Sequence, residues 1–383
     1  MRVAPPASNS SFRFLAFSVT MLAASMTACA CVFFVSSPSH LRLDAAAREA
    51  AIASAQLWTR TDVPAMDIKA GPQGRNAFAP GQTVVCDYVD ETLEGSSPKF
   101  SCSLGEHDKF KVKYGRSNGE AFAEVAASRL LWALGFGADR EYPVRVVCRG
   151  CPQKLKESRS LAPASGEMVF EIAAIERKMP GREIEGPEGR GWAWFELDLL
   201  DPAVGGARRA ERDALKLMAV ILQHTDTKRE QQRIVCLDPR DRKSSGPCRH
   251  PFMFINDLGE TFGQAGWLNL NSAASVNLKA WEQAPVWKQS ERCVGNLPQS
   301  WSGTLSDPPI TEEGRAFLAS LLTQLTDRQM HDLFEVARFP LRTFDGKTGE
   351  QQGDVDAWVR ALKRKIDQVV QRSCAPKLTE SGQ

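Results

Sequence analysis

The sequence carries almost no net charge. Its 48 Lys and Arg residues stand against 46 Asp and Glu, leaving +2, and the two signs are interleaved rather than gathered into a stripe. This charge pattern excludes recognition of a nucleic acid or another polyanion by a basic face. Several catalytic signatures are also missing: there is no GxSxG elbow, no Walker A loop, no HExxH and no Rossmann glycine triad. Their absence removes the common hydrolase, P-loop, zinc-protease and dinucleotide-binding chemistries. A single CxxC, Cys148-Arg149-Gly150-Cys151, has no second CxxC or HxxxH at zinc-finger spacing, so it reads as a structural disulfide. No internal repeat is present. Apolar residues at 43% and charged residues at 25% are ordinary for globular protein, and 383 residues suffice for one large two-lobed domain or two domains.

What is present begins with an uncharged run. Phe14 to Ser39 contains no acidic or basic residue, and Arg2 and Arg13 precede it. The run is long enough to span a bilayer, and the leading arginines predict a signal anchor over 1–40 with the rest exported. Cleavage at Ala28-Cys29-Ala30, or lipidation at Cys29, are the alternatives. All three place the domain outside the cytoplasm, two of them held at a membrane through the N-terminal segment. Eight cysteines follow the run, an even number that suggests disulfides in an exported domain. Cys86 with Cys102, and Cys236 with Cys248, each flank a hairpin-like stretch, which predicts local pairing.

Helix-forming residues from Leu41, then the Gly and Pro of 71–81, predict a juxtamembrane helix and linker over 41–82, with the folded domain starting near Thr83. Thr83–Tyr88, Lys99–Leu104, Phe110–Tyr114, Tyr142–Cys148 and Glu167–Ala174 read as strands. In Phe110–Tyr114 the alternation puts Lys111 and Lys113 on one face. Gly119–Leu134 reads as a helix ended by Gly135, with Glu120 and Glu124 one turn apart. Residues 83–180 are therefore expected to form a small sheet carrying one helix. Residues 181–375 are expected to be mostly helical, with helices over 208–222, 311–325, 326–338 and 354–372, and 376–383 to be a tail. Thr311, Thr326 and Asp354 are the expected N-caps. The fold class is α+β.

Two short motifs carry chemistry. An apolar helical stretch runs into His224-Thr225-Asp226-Thr227-Lys228-Arg229-Glu230-Gln231, and a later apolar run presents Asn256-Asp257-Leu258-Gly259. Read alone, a DLG is a common turn and a His-x-Asp a common helix cap. Phosphoryl transfer needs a cation on the phosphates, carboxylates for a divalent metal and an aspartate facing the acceptor hydroxyl. These motifs are similar to the kinase catalytic loop HxDxKxxN and to DFG, with Gln for the final Asn and Leu for Phe. The order of elements resembles the bilobal protein-kinase-like fold, nearest to atypical kinases of the HipA and secretory-pathway types.

That resemblance implies ATP with Mg2+, or Mn2+, as cofactors and a protein or small-molecule hydroxyl as acceptor. It implies Asp226 as the catalytic aspartate and Lys228 beside the transferred phosphate. Asp257 and Gln231 would be the metal ligands. Lys113 would be the phosphate-binding lysine, with Lys111 as alternative, and Glu124 its helix partner, with Glu120 as alternative. The loop Glu94-Gly95-Ser96-Ser97-Pro98 holds one glycine where typical kinases hold three, which leaves open an inactive, nucleotide-binding or scaffolding module.

Overall fold

Strand-forming, period-two segments dominate residues 83–177, and in the computed structural model they close on themselves. The structure describes residues 40–74, 76–152, 155, 166–237, 248–263, 275–290, 292–343 and 353–374. The expected anchor run and the tail lie outside them. Among the described residues no helix is long and apolar enough to cross a membrane.

A short strand β1 (His40–Arg42) and helix α1 (Ala45–Ala53) open the chain. Strands β2 (Thr83–Val89), β3 (Lys99–Ser103) and β4 (Lys109–Tyr114) follow, then helix α2 (Glu120–Ala133) and strands β5 (Arg140–Arg149) and β6 (Glu167–Arg177). These five strands make a closed barrel in the order β2-β3-β4-β6-β5. A parallel pairing of β2 with β5 completes the closure. The alternation expected for β4 holds: Phe110 and Val112 pack inside with Val84, Phe100, Tyr142, Val144 and Ile175. Lys111 and Lys113 therefore face outward, where α2 lies against β4, β5 and β6. Twelve of the 14 residues of α2 are buried, because the helical part of the chain covers the side the barrel leaves open.

The second half is less purely helical than the sequence suggests. Strands β7 (Arg182–Gly186), β8 (Gly189–Arg190), β9 (Gln232–Cys236) and β10 (Pro251–Ile255) form a sheet with β1 in the order β1-β7-β9-β10, β8 pairing with β7. Here β9 and β10 are an antiparallel hairpin. Helices α3 (Arg209–Leu222), α4 (Leu278–Gln283), α5 (Glu312–Leu322), α6 (Asp327–Val336) and α7 (Val355–Gln371) supply the rest. The side chains of Thr311, Thr326 and Asp354 accept the N-cap hydrogen bonds expected of them. Each such cap contributes about 1 kcal/mol to its helix.

The stretch read as juxtamembrane helix and linker belongs to the folded unit that runs from Pro38. Ala51, Ile52, Ala55, Leu57, Val63 and Ile68 are buried in the main core. Arg48 of α1 is buried and ion-pairs with Glu196 at 2.6 Å, and Glu196 also meets Arg229 at 2.9 Å. Glycine and proline near residues 71–81 therefore mark turns within the fold rather than a boundary before it. The eight cysteines form four disulfides: Cys86–Cys102, Cys148–Cys151, Cys236–Cys248 and Cys293–Cys374. Disulfides of this kind are typical of chains that mature in an oxidising compartment.

Candidate active site

The outward face of β4 supplies the first element of the site. Lys113 is 1% exposed, and its ammonium donates to Glu124 Oε1 and lies 3.3 Å from Glu120 Oε2, both on α2. Lys111 takes a different partner, Glu176 of β6, at 2.5 Å. Of the two lysines left open by the sequence, Lys113 is the one engaged with the helix, and both helix glutamates reach it.

The hairpin β9–β10 delivers the second element. Asn256 and Asp257 follow β10 directly, and their backbone N–H groups donate to Gln231 O at 2.9 and 3.3 Å, which ties the two motifs together. The Gly259 N–H donates to Asp257 Oδ1 at 3.0 Å. The approach to α2 is close: a Cβ on Gly259 would stand 2.5 Å from Cγ of Glu120 and would force that side chain to shift. Burial alone would raise the Asp257 carboxyl. The Lys113 ammonium first, then the Gly259 N–H and Lys111, outweigh that and hold it well below the usual carboxylate range. Lys113 and Glu124 thus form a buried ion pair, and Asp257 is their electrostatic neighbour.

Helix α3 supplies the third element. It ends at Gln223, which takes the left-handed conformation at φ 54° and turns the chain into the loop that carries Asp226. Asp226 is buried, and its Oδ2 accepts from Lys228 Nζ at 2.8 Å and from Gln231 Nε2. Oδ1 of Asp226 is buried without a hydrogen-bond partner, as are Asn256 Oδ1 and Glu124 Oε2. His224 is fully buried against Trp194, with ring centroids 6.3 Å apart. Burial pulls its pKa down to about 4 against the opposing pull of Asp226 and Asp257, so the ring is neutral. Trp192 and Trp194 are core, as their clustering suggests, and the Trp192 indole donates to Arg233 O at 3.0 Å.

Sequence reasoning missed Glu260. It follows the DLG directly, its backbone carbonyl accepts from Thr225 N at 3.4 Å and its carboxylate from Thr225 Oγ1 at 3.4 Å. Burial, then Asp226, Glu120 and Asp257, push its pKa up to about 8, with Lys228 opposing. Only its position next to the motif could have pointed to it. The glycine-poor loop is near as well: Ser97 Oγ donates to Glu120 Oε2 at 2.6 Å. Two His-carboxylate triads elsewhere could gather ligand atoms, His40–Glu183–Glu185 and His331–Asp332–Glu335. The first is already neutralised by Arg42, Arg190 and Arg233.

The donor set around Asp226 and Asp257 is all oxygen, negative in excess, and includes orphaned buried acceptors. It suits a hard divalent cation such as Mg2+. No family model matches the sequence, and no curated protein matches it. Among solved structures the chain is similar to the crystal structure of a Helicobacter pylori proinflammatory kinase, CtkA. The identity is 11% and the TM-score 0.39, over 77% of this chain and 96% of that one, a likeness too distant to bear on the chemistry.

Proposed function

We propose that the chain is an ATP- and magnesium-dependent phosphotransferase with a kinase-like bilobal arrangement, exported and held at a membrane by its N-terminal segment. The observation that supports this most directly is the buried ion pair of Lys113 on β4 with Glu124 on α2, with Asp257, just after β10, near enough to feel the Lys113 charge. A strand lysine fixed by a helix glutamate, next to an ionised aspartate, is what a triphosphate site requires.

Asp257 would hold the metal, with the side-chain oxygens of Asn256 and Gln231 as neutral partners. The Gln231 amide nitrogen is committed to Asp226, which leaves its oxygen to turn toward a cation. When bound, the ion would offset charge on the phosphate oxygens. Lys113, held by Glu124 and Glu120, would place a fixed positive charge on the donor. Asp226 would orient the acceptor hydroxyl and take its proton, while the acceptor oxygen bonds to the γ-phosphorus and the β,γ-bridging oxygen leaves on ADP. Lys228, already 2.8 Å from Asp226, would steady the transferred group.

A second reading, a nucleotide-binding module without turnover, is favoured by one observation. Glu120 occupies Lys113 and is itself held by Ser97 of the loop that would cover the phosphates. The two readings part in one assay: both require magnesium-dependent ATP binding abolished by Asp257→Asn, and only the first requires ATP consumption abolished by Asp226→Ala. No nucleotide binding at all would reject both.

A further inference from the structure

Around the two motifs every lysine described so far has an acidic partner. Lys111 pairs with Glu176, Lys113 with Glu124 and Glu120, and Lys228 with Asp226. Lys99, the half-buried first residue of β3, is different: among the described residues no hydrogen bond or ion pair holds its ammonium. Strand pairing sets it beside the same site. Lys99 stands directly opposite Lys113 in the antiparallel β3–β4 register, and the next pair, Phe100 with Val112, packs in the barrel core. The two lysines therefore share the outward face. The Lys99 side chain turns back over the loop between β2 and β3, where a Cβ on Gly95 would stand 2.7 Å from its Nζ. That loop is anchored at its far end: Pro98 O accepts from the Tyr114 N–H at 3.2 Å and from Asn118 Nδ2 at 2.9 Å. Like charges directly opposite on one face destabilise a sheet. Burial, Lys113 and Lys111 hold the Lys99 ammonium below the ordinary lysine pKa, with Glu120 and Asp257 opposing.

We infer that Lys99 is a second phosphate-binding cation, which holds the polyphosphate chain of the donor in place of the backbone amides that a glycine-rich loop supplies. The inference rests on the phosphotransfer reading for the identity of the donor, not for the binding of an anion. A loop with the single glycine Gly95 offers little backbone nest for phosphate oxygens. A lysine head is a compact charge with three donors, and it can do the same from a side chain. Lys113 is already shared between two glutamates, so it brings little net positive charge to a ligand. Lys99 brings a whole one. An anion seated between the two ammonium groups would relieve their repulsion, which an uncharged or cationic ligand would not. A polyphosphate suits the place because it is anionic along its length and can meet Lys99 from the loop side, Lys113 from β4 and a metal at Asp257 together.

The test is calorimetric binding of ATP with magnesium, and of inorganic tripolyphosphate, to the full chain. Wild type, Lys99→Ala, Lys99→Arg and Asp257→Asn are compared, with the thermal midpoint of each apo protein measured in parallel. Lys99→Ala should bind both ligands about tenfold or more weakly, and Lys99→Arg should keep most of the affinity. Apo Lys99→Ala should be as stable as wild type or more so, because an unpaired, repelled cation has been removed. A lysine with a merely structural role would lower that midpoint instead, and that result overturns the inference. So does ATP binding that is lost in Asp257→Asn yet equal in wild type and Lys99→Ala, which leaves the phosphotransfer reading standing. Tripolyphosphate binding lost in Lys99→Ala, with no ATP response in wild type, keeps the anion site and overturns the phosphotransfer reading alone. No binding of either ligand by wild type overturns both.

Discussion

At the scale of single residues, the site is a balance of too many carboxylates against few cations. Replacing Asp257 with Asn removes a carboxylate that Lys113, Lys111 and the Gly259 N–H hold ionised, so the apo protein should unfold at a lower temperature and lose all magnesium-dependent nucleotide stabilisation. Lys113→Met strips the buried ammonium from Glu124: roughly 3 kcal/mol of stability should be lost in denaturant unfolding, along with nucleotide binding. Glu260 gives a pH prediction. Its pKa in the fold is pushed from 4.5 to about 8, so between those values the folded state holds a proton that the unfolded state releases. Its contribution to stability is therefore present at low pH and is lost as pH rises through that window. Glu260→Gln should flatten the decline and stabilise the apo protein by roughly 1–3 kcal/mol at pH 8. An unchanged pH profile in the variant would contradict this placement. Asp226, Asp257, Lys113 and Glu124 could be picked out of the sequence because spacing and residue type advertise them. Glu260 could not, since its meaning comes from what the chain folds against it.

At the scale of elements, the Asp226 loop is braced from two directions. The 299–305 loop grips Thr225 and Thr227, and the Glu196 carboxylate links Arg229 of the same loop to Arg48 of α1. Thr304→Val removes one hydroxyl that both donates and accepts. It should lower kcat for phosphate transfer several-fold or more with little change in KM for ATP, and cost about 1–2 kcal/mol of stability. A normal kcat would mean that the brace is structural only. Arg48→Ala should cost roughly 2–3 kcal/mol, less than a fully orphaned buried charge, because Arg229 and the Ala193 N–H still face Glu196. Elements with strong local signals were legible: β4 from its alternation, α2 from its apolar spacing and Gly135, α5 to α7 from their caps. Of the sheet β1-β7-β9-β10 only the hairpin at Cys236 and Cys248 was, because β1 and β7 are short and pair across long stretches of sequence. The role of α1 was also hidden, because an Ala-rich helix looks the same whether it is free or docked.

At the scale of the whole molecule, two disulfides lie within the barrel part of the chain and two within the part that follows it. Cys293–Cys374 encloses a separation of 81 residues and fastens the end of α7 to the segment after α4. By loop-closure entropy its loss should cost about 4 kcal/mol, more than that of Cys86–Cys102 with its separation of 16. Paired Cys→Ser variants unfolded in denaturant would check the order, and equal costs would contradict it. The barrel's closure was invisible in the sequence, since no local pattern encodes the parallel pairing of β2 with β5. The same holds for the assembly of the site, which depends on β4, α2, the β9–β10 hairpin and the end of α3 meeting at one place. The measurement that tests this assembly most directly is thermal stabilisation of the full chain by ATP with magnesium, comparing wild type with Asp257→Asn. A site filled at a hundred times its dissociation constant should stabilise wild type by about 2.7 kcal/mol and leave the variant unmoved. A wild type that does not respond, or a variant that responds equally, would contradict the account.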